Sequence, residues 1–195
     1  MALKSGELAG LDVAPATYRR IGRWLDEAQQ SKNEPYLYRY NPYAPDTAEQ
    51  RHGRTVSKTM TAVGLLMRLY TGWRRDDANM QRGAAYLLER PPAIGTVRDP
   101  QRDTYYWYYA TQVMANVGGQ QWESWMGKLH PLLVNSQIRQ GPYGGSWDPR
   151  APIADRWGTH AGRLYVTAMN LLSLEVQYRK LPLHESVVSE RQVSR

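Results

Sequence analysis

The stretch from Lys128 to Pro149, which reads KLHPLLVNSQIRQGPYGGSWDP, decides the fold class. The basic residue Lys128 lies four residues before the pair Leu132-Leu133. After three further residues comes Gln137, and a Gly-x-Trp triplet follows at 145–147. Residues four apart share one face of a helix. Proline, preceded by an acidic residue, then ends the segment in a turn. The stretch therefore predicts an amphipathic helix and a turn that leads into the next element.

The same spacing occurs twice more, which indicates an internal repeat. The first copy consists of Arg20, Trp24, Leu25 and Gln29, and the second of Arg82, Tyr86, Leu87 and Pro91, in which proline replaces the glutamine. Residues 40–45 and 147–152 also match each other, as an aromatic residue, Asn or Asp, Pro, any residue, Ala and Pro. We therefore expect the aromatic side chains at positions 24 and 86 to pack inward, and the two matching joints to form similar turns.

Helix periodicity divides the chain into six predicted helices in an all-α fold, with no convincing strand. Three basic, amphipathic helices are predicted to be outer ones, and three nearly all-apolar helices to be inner ones that are buried on most sides. The outer ranges are 15–30, 77–90 and 119–137, and the inner ranges are 54–72, 103–117 and 159–178. We expect an N-terminal arm at 1–14, one repeat domain at 15–182 and a polar tail at 183–195.

The repeat resembles the QW motif of squalene-hopene cyclases, a base-x3-aromatic-Leu-x3-Gln pattern followed by Gly-x-Trp. The third copy holds the motif best, the first has residues 38–40 in place of Gly-x-Trp, and the second lacks both the Gln and the Gly-x-Trp. Residues 103–182 are similar to bacterial proteins described only as prenyltransferase/squalene-oxidase repeat proteins. The motif residues expected to be structural are Gln137, Gly145, Trp147, Asp148, Pro149 and Trp157.

The resemblance implies an α/α toroid, in which inner helices ring a cavity and outer helices wrap them. This chain supplies about three inner/outer helix pairs, which makes a partial ring. We therefore expect it to associate with itself or to belong to a longer toroid. The last inner helix should leave one apolar flank bare, unless residues 1–14 or the segment after Pro182 fold over it.

Class II terpene cyclases of this type protonate their substrate with an aspartic acid in an Asp-x-Asp-Asp motif, which this sequence lacks. Asp103 lies roughly where that motif would fall. Three interpretations stay open for it: a cap of the next helix, a lone catalytic acid, or a ligand contact. Asp77 follows two arginines and a second aspartate, and we expect it to cap a helix as well.

An aromatic cluster follows Asp103, and its members are Tyr105, Tyr106, Trp107, Tyr108 and Tyr109. Positions 105, 108 and 109 share a helix face, and these three tyrosines together with Trp107 are the candidate residues of a ligand cavity. Such a face either packs between helices or lines a ligand cavity, where aromatic rings stabilise a carbocation. An isoprenoid-like ligand is the partner that the second interpretation implies.

The sequence argues against several other kinds of site. It contains no cysteine, which excludes disulfides, thiol nucleophiles and Cys-ligated zinc. Asp155 and His160 have an ordinary spacing, so we expect neither a metal nor a cofactor. The glycines at 141–145 form a turn without the Lys-Ser/Thr of a phosphate-binding loop.

The net charge of +7 is spread along the chain and accompanies no nucleic-acid-binding motif, so a solvated basic surface is expected rather than a nucleic-acid partner. No apolar run approaches the roughly 20 residues of a membrane span, and the start lacks the apolar core of a signal peptide. We expect a cytoplasmic protein.

Three functions remain at this stage. The first is a repeat module without catalysis of its own, which packs in a larger toroid or with a partner. The second is a terpene-cyclase-like isomerase that acts on a polyprenyl substrate. The third is a binder of an apolar ligand. The missing acid motif favours the first over the second, and aromatic rings facing a cavity would favour the third.

Overall fold

The computed structural model describes residues 1–178, and this part of the chain is all-α, as the sequence predicts. Its only extended pairings are isolated bridges of single residues within the described range. The α-helices are α1 (Ala2–Leu8), α2 (Pro15–Ala28), α3 (Lys58–Tyr70), α4 (Ala78–Leu88), α5 (Thr104–Val117), α6 (Gly119–Ser136) and α7 (Gly158–Glu175). One short 3₁₀ helix, Arg51–Arg54, lies between α2 and α3, and a second, Val176–Tyr178, follows α7.

Helices α2 to α7 correspond to the six predicted helices, and their starts follow from local sequence. Ser57 caps α3 by accepting the backbone N–H of Met60, and Asp77 caps α4 by accepting those of Asn79 and Met80. Short polar side chains stabilise helix starts in this way because the first backbone donors lack partners within the helix. The predicted capping role of Asp77 is confirmed. Helix α1 lies in the segment that was predicted only as an arm.

The described residues form two compact units, Met1–Pro91 and the residues from Pro92 onward. The domain bounds of 15–182 stay a prediction. Each unit contains an outer-type helix, a long loop and an inner-type helix in that order: α2 and α3 in the first unit, α6 and α7 in the second. The predicted polar tail at 183–195 lies outside the described residues.

In the first unit, α3 packs against both α2 and α4 around a core of leucines. Two glycines permit the close contacts. A Cβ atom added at Gly64 would lie 2.3 Å from Cγ of Tyr38, and one at Gly83 would lie 2.6 Å from Cδ1 of Leu65. Any larger residue at either position would displace its neighbour, because interiors are close-packed.

The two aromatic residues expected to pack inward in this unit behave differently. Trp24 is 47% exposed and contacts Tyr43, with ring centroids 6.2 Å apart. The expectation that Trp24 is buried is wrong, because α2 buries Leu25 and Ala28 instead. Tyr86 is half-buried beneath the ammonium of Lys58, which lies 3.2 Å from the ring centroid.

In the second unit, α5 packs against both α6 and α7. Gly118 alone joins α5 to α6, and its φ of 76° suits glycine. The indole Nε1 of Trp125 donates to Oγ1 of Thr111 over 2.9 Å. These two residues lie equally far from Gly118 along the chain, so α5 and α6 run antiparallel.

Helices α5 and α7 start side by side and run in the same direction. The backbone N–H of Thr104, at the start of α5, donates to Oδ2 of Asp155, just before α7, over 2.9 Å. The 3₁₀ turn that follows α7 also packs against α5. Within the second unit, this agrees with the expectation of parallel inner helices and antiparallel outer ones.

Candidate functional site

The motif that decided the fold forms a closed loop in the second unit. The side-chain Nε2 of Gln137 donates to the carbonyl of Gly145 over 2.9 Å, which closes the loop. Trp147 is almost fully buried, and its Nε1 donates to the carbonyl of Leu133 near the end of α6, also over 2.9 Å. These motif residues therefore fasten the loop to the helix that precedes it.

Asp148 and Pro149 continue this loop and tie it to α7. Oδ1 of Asp148 accepts the backbone N–H groups of Arg150 and Ala151, and its Oδ2 lies 2.8 Å from Nη2 of Arg163. The Arg150 N–H, aided by the Arg163 guanidinium, lowers the pKa of Asp148 below its ordinary value. The Pro149 carbonyl accepts the N–H of Asp155 over 2.9 Å. The predicted role of the Asp-Pro pair in a turn is confirmed.

The first unit contains a similar closed loop, but its buried aromatic residue differs from the one predicted. Gln29 Nε2 donates to the Pro35 carbonyl over 2.8 Å, as Gln137 does to Gly145. Tyr38 is almost fully buried, whereas Tyr40 is 66% exposed. Sequence matching paired residues 40–45 with 147–152, and the turns do match, because Oδ1 of Asn41 accepts the N–H of Tyr43 as Oδ1 of Asp148 accepts that of Arg150. The buried aromatic position, however, is occupied by Tyr38 and not by Tyr40.

Arg68 is a buried charge of the first unit that sequence patterns did not single out. Its Nε donates to the hydroxyl of Tyr38 over 2.9 Å, and its Nη2 lies 2.5 Å from Oδ1 of Asp26. Burial raises the pKa of the Tyr38 hydroxyl, and the Arg68 hydrogen bond opposes that effect. The signal was available, because Arg68 is the one charged residue between Thr59 and Tyr70.

Asp103 caps α5: its Oδ1 accepts the N–H of Tyr106 over 2.9 Å. Its Oδ2 lies 3.9 Å from Nε of Arg156. This geometry confirms the capping interpretation, and it keeps the carboxylate occupied with its own helix. A catalytic role for Asp103 stays a prediction.

Asp155, which the sequence offered only as a weak metal-ligand candidate, proves to be a buried connector. Its Oδ2 accepts the N–H of Thr104 and its Oδ1 accepts that of Trp157 over 3.0 Å. The neighbouring Arg102 is also buried, and its Nη1 donates to the carbonyls of Ala151 and Ile153. Both side chains are used to hold the starts of α5 and α7 together.

Some side chains of the aromatic cluster of α5 are buried, and the others form a half-buried face. Tyr106, Trp107 and Tyr108 are buried, and the ring of Tyr106 meets that of Trp125 edge-on with centroids 5.8 Å apart. Tyr105 and Tyr109 are half-buried, with centroids 4.8 Å apart. Trp107 and Tyr108, two of the four candidate cavity residues, therefore belong to the core. Tyr105 and Tyr109 retain exposed surface.

Tyr165 of α7 interacts electrostatically with Tyr109 of this face, although the sequence gave no signal for it. Burial, then the charges of Asp155 and Asp103, raises the pKa of Tyr165 to about 12. Burial and a hydrogen bond with Tyr105 raise the pKa of Tyr109 to about 12 as well. These tyrosines are therefore neutral hydroxyl groups at physiological pH, able to donate hydrogen bonds but unsuited to act as bases.

A polar cleft of about 400 Å³ lies elsewhere in the second unit, between the Asp148 turn and the first turn of α7. Its lining consists of Asp148, Pro149, Arg150, Gly158, Thr159, His160, Ala161, Gly162 and Arg163. Nδ1 of His160 lies 3.1 Å from the Thr159 hydroxyl. Trp157, expected to be structural, immediately precedes α7 and is 44% exposed. None of the cluster tyrosines lines the cleft.

Two features of residues 1–178 bear on ligands and membranes. No group of three or more His, Asp or Glu side chains there could hold a metal ion. No helix in the same range combines the length and apolarity that a membrane span requires.

No protein-family model matches this sequence, and comparison with curated proteins and with solved structures finds no match either. The function must therefore be inferred from the packing, charges and exposed surfaces of the two units.

Proposed function

We propose that this chain is a squalene-cyclase/prenyltransferase-like repeat module without catalysis of its own, which docks through α7 onto a second copy of itself. The observation that carries this proposal is an exposed apolar stripe on α7. Leu164 is 83% exposed and Leu171 is 49% exposed, and the exposed Ala168 lies between them. Tyr178 extends the stripe in the following 3₁₀ turn.

The opposite side of α7 supports the view that this stripe is a flank for packing. Val166, Asn170 and Ser173 are buried on the side that packs against α5. Helix α5 has helices on two sides, whereas the flank of α7 that carries Leu164 and Leu171 stays exposed. Repeat helices bury a continuous core only by stacking on neighbours.

The spacing of the stripe suits a helix as the partner. Leu164, Ala168, Leu171, Glu175 and Tyr178 follow one another at intervals of four, three, four and three residues. This is the spacing of a helix–helix seam, and the small Ala168 allows close approach at its centre. A contiguous apolar surface that is exposed on a helix often marks an interface with another protein surface.

The contacts of Asp103 and of the aromatic cluster weigh against the enzymatic alternative. Asp103 caps its own helix, and three of the five aromatic side chains that follow it are packed in the core. A terpene-cyclase-like isomerase needs an available acid and a cavity that excludes water from the cation. The half-buried Tyr105 and Tyr109 are the features that a binder of an apolar ligand would use.

The proposal is tested by the mass of the protein in solution. Size-exclusion chromatography with light scattering should show a dimer of the 22.4 kDa chain. Leu164→Glu combined with Leu171→Glu should give a folded monomer. Val97→Glu, which alters an equally exposed apolar residue outside α7, should leave the dimer intact. A wild-type chain that stays monomeric with a cooperative melt would refute the docking proposal.

The absence of catalysis has its own test. Purified protein incubated with squalene should give no cyclised product by gas chromatography, because no Asp-x-Asp-Asp motif is present. Pentacyclic product that disappears in Asp103→Asn would show that Asp103 is a catalytic acid and would overturn this part of the proposal.

A further inference from the structure

We propose that the polar cleft at the start of α7 binds the carboxylate group of a small ligand, and that Arg150 is the residue that binds it. The cleft has a volume of about 400 Å³ and lies within the second unit, beside the Asp148 turn. The ligand carries its carboxylate either as a simple organic acid or as the end of a peptide. This inference goes beyond the proposed docking of α7 and does not depend on it.

The lining of the cleft is polar, which indicates the class of ligand. Pro149 and Ala161 are the only lining residues with apolar side chains. An isoprenoid-like ligand, which the family resemblance implies, would find little apolar surface here, whereas sites for such ligands are predominantly hydrophobic. The lining therefore favours a small polar ligand.

The charge of the cleft matches a single carboxylate. The lining contains the guanidinium groups of Arg150 and Arg163 and one carboxylate, that of Asp148, which leaves a net charge of +1 when histidine is counted as neutral. A monoanionic carboxylate neutralises this charge, whereas a phosphate group close to a dianion would leave an excess of negative charge. We therefore expect the cleft to prefer a carboxylate to phosphate.

The two arginines differ, because only one of them already has a carboxylate partner. Nη2 of Arg163 lies 2.8 Å from Oδ2 of Asp148, and its Nη1 donates to the Ser146 hydroxyl over 3.3 Å. The side chain of Arg150 is exposed and forms no ion pair with any residue that the structure describes. A guanidinium presents paired N–H donors that match the two oxygens of a carboxylate. Arg150 is therefore the group that binds the ligand, and Arg163 is a fixed positive charge in the same cleft.

Thr159 and His160 supply one further hydrogen-bond donor. Nδ1 of His160 lies 3.1 Å from the Thr159 hydroxyl. If the hydroxyl donates to Nδ1, the Nε2–H of the imidazole remains for a ligand, and if Nδ1 donates, the hydroxyl proton remains. Neutral His160 thus leaves one donor of this pair in either tautomer. The cleft can offer a ligand this donor in addition to the guanidinium of Arg150.

An NMR titration of the whole 195-residue chain with N-acetylglycine tests the site, with the backbone amide signals of residues 158–163 as the readout. These signals should shift and saturate, and Arg150→Gln should weaken the binding about tenfold. Arg150→Lys should bind with intermediate affinity, because it keeps the charge and loses the paired donors. Arg98→Gln, which removes the same charge from an exposed position of the second unit, should bind as tightly as the wild type.

Three further ligands identify the chemistry that is recognised. N-Acetylglycinamide, which lacks the negative charge, should not bind, and inorganic phosphate should bind more weakly than N-acetylglycine. Propionate separates the two sources of the carboxylate: equal affinity indicates a simple organic acid, and weaker binding indicates a peptide end.

Several outcomes would overturn the proposal. Absence of saturable shifts in the wild type, or an affinity that is unchanged in Arg150→Gln, would refute the site. Equal affinity for N-acetylglycinamide, or tighter binding of phosphate, would refute the assignment of a carboxylate as its ligand.

Discussion

The backbone N–H of Tyr38 donates a hydrogen bond to Oγ1 of Thr61 over 3.2 Å, and both residues are almost fully buried. The second unit contains the same contact, from the N–H of Trp147 to Oγ1 of Thr167 over 3.3 Å. In each unit, the buried aromatic residue of the long loop is thus attached through its backbone to a threonine of the next helix. The attachment is independent of which aromatic side chain is present.

Thr61→Val should destabilise the first unit, because it leaves the buried N–H of Tyr38 without this acceptor. An unsatisfied buried donor costs about 1–3 kcal/mol of unfolding free energy. Valine has nearly the shape of threonine, so the loss would report the hydrogen bond rather than a cavity. Urea denaturation followed by circular dichroism measures the change.

The matched control is Thr61→Ser, which keeps the hydroxyl and removes a methyl group. It should be less destabilising than Thr61→Val, since serine can still accept the Tyr38 N–H. If Thr61→Val is as stable as the wild type, this hydrogen bond contributes nothing, and the loop is held by its other contacts.

Trp147→Ala should be among the most destabilising substitutions in the second unit. Its side chain is buried, and its Nε1 satisfies the Leu133 carbonyl at the end of α6. Removal of a buried tryptophan costs about 3–5 kcal/mol. Trp147→Phe should cost less, because it preserves much of the packing and loses the indole donor. Equal losses for the two substitutions in thermal denaturation would contradict this account.

Helix positions could be predicted because periodicity and end signals agree along most of the chain. Pro15 begins α2, and Ser57, Asp77 and Asp103 each precede a helix that they cap. Helix α1 was missed because its seven residues carry too few apolar positions to show a period.

Contacts between loops and helices were less predictable. Tyr38 and Tyr40 are alternating tyrosines in one loop, and pattern matching cannot decide which one is buried. Similarly, Gly162 breaks α7 with a φ of 75° and a ψ of −173°, yet a single glycine within a helical pattern is usually tolerated. Tertiary packing decides which tyrosine is buried, and a single sequence carries no record of it.

Asp155→Ala should destabilise the second unit by about 2–4 kcal/mol, because it removes the acceptor of two backbone N–H groups, those of Thr104 and Trp157. Asp155→Asn keeps one carbonyl oxygen and should fall between alanine and the wild type. Asp76→Ala, which alters an exposed aspartate of the first unit, should leave the melting temperature unchanged. A melting temperature of Asp155→Ala equal to the wild-type value would exclude the connector role.

Alkaline pH should weaken the second unit through Tyr109 and Tyr165. Folding raises the pKa of each from 10.0 to about 12, chiefly by burial. Between these values the unfolded chain loses phenolic protons that the folded chain keeps, so the unfolding free energy falls as pH rises. The contribution is complete below pH 10 and is lost as pH rises towards about 12.

Tyr109→Phe with Tyr165→Phe should flatten this decline in urea denaturation at several pH values, whereas Tyr40→Phe, at an exposed position, should not. An unchanged slope in the double variant would contradict the prediction.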